Sequence, residues 1–378
     1  MRRLPLPNPD RAILFALGLF LGVSALVVSL MRAGLLEPGE AGHRDRLLPA
    51  PSAPPADAET LEVGVYIENN YLFSVDDKTF NAVGRIWLNW PERVQTVLAN
   101  ENLPPEKWLN WVNLIDGWDS RLEPVYPAPI RLADGRYHQS LQFSGQFYVA
   151  ELDFRRFPFQ RIRLPVVLEL SENLTRAGHL PLALVPDRED SGVGLYSDLI
   201  GYRTIGFDVQ RHQHEYGSRF GLNPDHSLLP APVAQVMFAT VYQQSVNAAL
   251  LKLFLPLVVV MALVLLSPML SPALWEVRLG IPPTALLTLV FLQQGYREKL
   301  PDLPYATYLD MVYNACYVVN LLLFGLFLWA SNRLHQTDAV WQSATVRHID
   351  RIDRRVQVGL CVGFTLLLAI QWFAMLWE

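Results

Sequence analysis

Between Glu276 and Lys299, positions 280, 284, 287, 291, 294 and 298 follow one another in alternating steps of four and three. That spacing keeps side chains on one face of an α-helix. The residues are Gly280, Thr284, Leu287, Phe291, Gln294 and Glu298, with Glu276 one turn ahead of them. Their order runs from small and polar, through two apolar positions, to polar and charged. A lipid-facing stripe has no reason to end in glutamine and glutamate, whereas the wall of a water-filled path with an apolar constriction does. The same spacing also fits an amphipathic helix packed inside a bundle, and periodicity does not separate the two. Glu276 and Glu298 would favour cations if several copies surrounded one axis. Arg278, Arg297 and Lys299 stand beside them, so a one-residue turn of the helix would present a cation instead.

Other residues have the chemistry of binding. Trp87, Tyr216 and Phe220 are of the types that form an aromatic cage for an amine, while Trp90 reads as a core residue of an alternating strand. His212 and His214 lie two apart, with Glu215 and His226 nearby. On a strand the two histidines share a face, which suits a metal, a pH response or plain solvation. No complete ligand spacing is visible, so no metal site is expected. There is no GxSxG, no HExxH and no phosphate-binding glycine loop, so neither catalysis nor a cofactor is expected.

The elements that must position these residues are mostly apolar. Hydrophobic residues make up 51% of the 378 and charged ones 18%, and the apolar residues gather into long uncharged runs, the mark of a membrane protein. Runs at 12–31, 253–275, 311–332 and 356–377 are long enough to cross a bilayer, and a shorter, more polar one spans 279–296. Arg2, Arg3 and Arg11 precede the first run, and Arg333, Arg347, Arg351, Arg354 and Arg355 precede the last. The positive-inside rule makes both sets cytoplasmic and leaves residues from about 33 to 245 outside, provided that the short run also spans. A net charge of −5 gives no basic footprint for nucleic acid. Cys316 and Cys361 both lie in apolar runs, so no disulfide framework is expected.

The organisation expected is an N-terminal anchor or signal segment at 1–35, a Pro/Ala-rich linker at 36–60, an extracytoplasmic antiparallel β-sandwich at 61–245 and a four-helix domain at 246–378. The first run is longer than a usual signal core, which favours an uncleaved anchor. Segments 63–75 and 79–90 read as a hairpin about the turn Asp76, Asp77, Lys78. Further strands are expected at 136–143, 146–154, 162–170, 204–216 and 232–244. An insert at 91–118 with Trp108, Trp111 and Trp118 looks partly helical. The four helices are expected at about 247–271, 277–299, 304–332 and 354–377. The gap 333–355 reads either as an amphipathic surface helix, with Val340, Trp341, Ala344 and Val346 toward lipid, or as a short basic linker.

Several segments resemble prokaryotic pentameric ligand-gated ion channels. VGVYIENNYLFSVDDKTFNAVGRIWLNW is similar to the first two strands of that family's binding domain. DFRRFPFQRIRLPVVLEL resembles its signature loop, with the tip at Phe157, Pro158 and Phe159 and without the flanking cysteines of the animal receptors. GFDVQRHQHEYGSRFG resembles the strand and loop capping the agonist site, and RLGIPPTALLTLVFLQQGYREKLPDLPYATYLD resembles the pore helix and the start of the next helix. The resemblance covers most of 60–378. It implies a homopentamer with Leu287 as the central hydrophobic gate, Thr284 and Gly280 at the narrow selectivity region and Glu276 at the cytoplasmic mouth. It also implies that Phe157, Pro158 and Phe159 contact the loop from Leu300 through Pro301 and Pro304 to Tyr305. The family's arginine before the first helix and its acid after the tip correspond here to Gln244 and Gln160, two amides that could hydrogen-bond.

The resulting expectation is a multi-pass protein of the bacterial inner membrane with its sandwich outside. It would be opened by a small ligand or by protons, conduct cations, and have lipids and permeant ions as partners. A non-conducting sensor that uses the same sandwich to signal to a partner is the alternative, and an anchored enzyme is a weaker one.

Overall fold

A computed structural model describes residues 22, 45–50, 55, 57–100, 102–115, 120–171, 174, 181–218, 232–337 and 341–377. The expected anchor and much of the linker lie outside them, as do Trp118, Phe220, His226 and Val340. The chain divides into a strand unit at 38–153 and 161–245 and a helical unit that takes 154–160 and 246–378.

In the strand unit, β1 (Arg46–Pro49), β2 (Glu59–Ser74) and β3 (Thr79–Trp90) are followed by the helix α1 (Glu92–Asn100). The short strands β4 (Leu109–Trp111), β5 (Leu114–Ile115), β6 (Arg121–Pro124) and β7 (Ile130–Arg131) come next. Long strands return with β8 (Tyr137–Tyr148) and β9 (Arg161–Leu170), then β10 (Leu182–Pro186), β11 (Gly192–Val193), β12 (Tyr202–Glu215) and β13 (Val233–Gln244). They form two sheets, β1-β12-β13-β9-β4 and β10-β2-β3-β8-β5. Alternate residues point inward, as a half-buried strand requires. Leu61, Val63, Val65 and Ile67 of β2 and Ile162, Leu164, Val166 and Leu168 of β9 belong to one core drawn from both sheets.

The expected hairpin forms as β2 and β3, with Val65 opposite Ile86. Three expectations for this unit need correction. Segments 136–143 and 146–154 are not two strands: β8 runs unbroken to Tyr148, because Gly145 serves close approach and not a turn. A Cβ there would lie 2.6 Å from Leu114 Cδ1. The sheets are not wholly antiparallel, since β10 and β11 both pair parallel to β2. Part of the expected linker is structured, with Arg46–Pro49 pairing antiparallel to residues 212–215 of β12. The insert after Trp90 closes the end of the core: Trp108 is buried with its ring 4.5 Å from that of Trp90, and Trp111 tilts against Phe143 at 5.0 Å.

Among the described residues, the helical unit contains four helices long and apolar enough to cross a membrane: α2 (Val246–Met269), α3 (Trp275–Arg297), α4 (Tyr308–His335) and α5 (Gln342–Trp377). A turn of π-helix at Leu250–Phe254 interrupts α2. Pro256 follows it, and a proline nitrogen cannot donate to the carbonyl four residues back. The start of α4 differs from the expected 304, because Thr307 caps the helix: its hydroxyl accepts from Asp310 N while the Asp310 carboxylate accepts from Thr307 N. α5 begins at Gln342, twelve residues before the expected 354. The gap is therefore neither a separate surface helix nor a basic linker. Ile349, Ile352, Asp353 and Val356 are buried at helical spacing, and Gln357 Nε2 donates to Leu265 O at 2.8 Å.

Candidate functional site

The chemistry proposed from the sequence is concentrated on α3. Its buried residues are Arg278, Pro282, Ala285, Leu289 and Tyr296, which share the opposite face of the helix. All seven residues of the polar-ended stripe, Glu276, Gly280, Thr284, Leu287, Phe291, Gln294 and Glu298, are exposed. α3 thus turns one face into its own bundle and leaves this one uncovered. Beside it, Pro283, Leu286 and Val290 form an exposed stripe that is wholly apolar. The helix stays continuous through Pro282 and Pro283, although the two rings deprive the carbonyls four residues earlier of their usual donors. Thr284 Oγ1 donates to Gly280 O at 2.9 Å and Thr288 Oγ1 to Thr284 O at 3.0 Å, so both hydroxyls satisfy their donors on the helix itself.

The two arginines beside the acids have partners on other helices. Arg278 is buried, with Nη2 2.6 Å from Asp353 Oδ2 of α5 and its guanidinium 4.4 Å from the ring centre of Phe327. Arg297 reaches Asp310 of α4 at 2.8 Å. Asp310 also accepts from the Tyr296 hydroxyl, from Gln293 Nε2 at 3.2 Å and from the Thr307 hydroxyl at 2.9 Å. The cluster that ties α3 to α4 was not expected from the sequence. The Thr307-x-x-Asp310 capping pattern before an apolar run was the one local signal for it.

The 154–160 segment packs wholly within the helical unit. Phe157 stacks on Tyr296 with ring centres 6.0 Å apart, and Phe159 meets Phe254, Tyr308 and Trp372 at 5.9, 6.3 and 5.3 Å. The rings of the tip, Phe157 and Phe159, pack against all four helices. Tyr305 is held by the start of the segment: its hydroxyl accepts from Phe154 N at 3.0 Å, and Arg155 lies 5.4 Å from its ring centre. Tyr308 N donates to Arg155 O at 2.8 Å. Gln160 is buried, and neither of its amide atoms has a hydrogen-bond partner among the described residues. Gln244 Oε1 is likewise unpaired among them. Phe157→Ala is expected to cost about 3–5 kcal/mol, as for other buried phenylalanines. Thermal unfolding in detergent checks this, and a midpoint equal to that of the wild type would contradict the packing described.

Of the expected ligand residues, Trp87 and Tyr216 make hydrogen bonds within the strand unit. The Trp87 indole lies over Gly64, where a Cβ would come within 2.2 Å of it, and Nε1 donates to Asp187 Oδ2 at 3.0 Å. Trp90 is fully buried, as expected of a core residue. The Tyr216 hydroxyl is 2.8 Å from Glu169 Oε1, and this buried carboxylate also accepts from Asn110 Nδ2 at 2.8 Å and Gln235 Nε2 at 3.1 Å. His214 tilts against Tyr216 with ring centres 3.9 Å apart and lies 3.3 Å from Asp45, whereas His212 meets Gln210 at 3.1 Å. No group of three or more potential metal ligands occurs among the described residues. Elsewhere in this unit, burial holds His138 below the usual imidazole range.

Four apolar helices follow a mostly β domain, and α3, the least apolar of the four, carries the exposed polar-ended stripe. No protein-family model matches the chain, and no curated protein matches it.

Proposed function

We propose that the chain is one subunit of a homopentameric ligand-gated ion channel whose pore is lined by α3. The observation that carries this reading is the uncovered stripe from Glu276 to Glu298 on a helix whose opposite face is buried. A threonine, a glutamine and a glutamate facing hydrocarbon would be costly, so the stripe calls for water, and the apolar stripe beside it suits a neighbouring subunit or lipid. Copies arranged about an axis would provide both. Resemblance supplies the number five and the external position of the strand unit in a bacterial inner membrane. A small external ligand or protons would open the pore, and motion of the strands would reach α3 through Phe157 on Tyr296.

Cation selectivity follows from rings of Glu276 and Glu298, with Arg278 and Arg297 held by Asp353 and Asp310. Glu276→Gln removes one ring. In planar bilayers under a salt gradient its reversal potential is expected to move toward that of a non-selective pore. An unchanged potential would reject Glu276 as the filter.

A further inference from the structure

The buried pair of Arg278 and Asp353 is hard to account for as a stabilising contact. The side chains are 2% and 0% exposed, yet Arg278 Nε and Asp353 Oδ1 have no hydrogen-bond partner among the described residues. A buried pair with incomplete hydrogen bonding repays its desolvation poorly, and well-packed apolar residues of similar volume often serve stability as well or better. The pair does decide where a positive charge sits. Arg278 is two residues from Glu276 and in the first turn of α3, so its long stem could carry the guanidinium toward the same aqueous mouth. Phe327 supports the inward position through its ring face. Asp353 is set apart from its neighbours on α5: Arg351, Arg354 and Arg355 are exposed, Asp350 pairs along the helix with Arg354 at 3.2 Å, and Asp353 alone of these five turns fully inward.

We infer that Asp353 is a positioning residue for ion selectivity: by holding Arg278 between α3, α4 and α5, it keeps a ring of cations out of the mouth that Glu276 lines. The inference rests on the channel reading above. It assigns a selectivity role to a residue of the outer helix that does not face the pore. Without Asp353, burial of Arg278 loses its counter-charge and the guanidinium moves to water, where it opposes Glu276.

The test uses the full chain in planar bilayers under a KCl gradient. Asp353→Asn is expected to lower the cation-to-anion permeability ratio by about tenfold, the scale on which a ring of charge alters local ion concentration. Adding Arg278→Gln to that variant should return the ratio to the wild-type value, which a merely structural role for the pair would not do. If wild type conducts and Asp353→Asn has the same reversal potential, this inference is overturned and the channel reading stands. If the wild type carries no current, both fall. Should Asp353→Asn fail to assemble, Asp353→Ser replaces it with the same two outcomes, and a rise in cation preference on neutralising both charges would show that Arg278 already faces the ions and overturn the inference.

Discussion

Leu287→Ser is expected to make the closed protein leak. Leu287 is 57% exposed and Phe291 65% exposed on the uncovered face of α3, one turn apart and flanked by polar residues on both sides. Around an axis, rings of these side chains would form a constriction too apolar for water at small radius, which stops ions without a physical plug. Each leucine side chain disfavours water by about 1.5–3 kcal/mol relative to a buried state. A tenfold change in a rate corresponds to about 1.4 kcal/mol. A serine ring should therefore raise resting cation flux into liposomes by about tenfold or more. Leu286→Ser provides the comparison, because Leu286 is also exposed but lies on the apolar stripe beside that face. Equal flux from the two variants would remove Leu287 from the gate.

Asp310→Ala is expected to destabilise the helical unit strongly. The carboxylate caps α4 through Thr307 and accepts from Tyr296 of α3, both buried, and from the half-buried Gln293. Arg297 is well exposed, so its ion pair contributes little. The other bonds contribute more, because hydrogen bonds to a charged group are worth about 1.5–3 kcal/mol each and their removal leaves buried donors unpaired. Loss of the cap adds about 1 kcal/mol. A total near 3–5 kcal/mol, about the cost of stranding a buried charged group's partners, should lower the thermal midpoint in detergent markedly and reduce recovery of assembled protein. Asp310→Asn, which keeps the shape and part of the bonding, should lie between. Unfolding indistinguishable from wild type would mean that the cluster does not hold α3 to α4.

The parts of the fold legible in the sequence are those with a local period. Alternation along 63–75 and 79–90 specified the β2–β3 hairpin, and steps of four and three grouped the residues that share the uncovered face of α3. Boundaries were lost where a single residue carried a double meaning. Gly145 looks like a turn but admits Leu114, and Thr307 falls inside the expected helix from 304 but caps α4. The early start of α5 was hidden by charge: Ile349, Ile352 and Val356 keep helical spacing, but arginines between them resemble a linker. Pairings across the chain left no trace at all. Arg278 and Asp353 are 75 positions apart, and nothing local to either shows that one neutralises the other. The same holds for Phe159 and Trp372, which meet only once the helices have packed.

The central claim is that α3 lines a conducting path, and current through the purified full-length protein in a planar bilayer tests it most directly. Discrete current steps that appear on addition of a small ligand or on a change of pH, and that carry cations in preference to chloride, are the predicted result. A bilayer that stays silent with folded protein incorporated, across amine ligands and the accessible pH range, would contradict it.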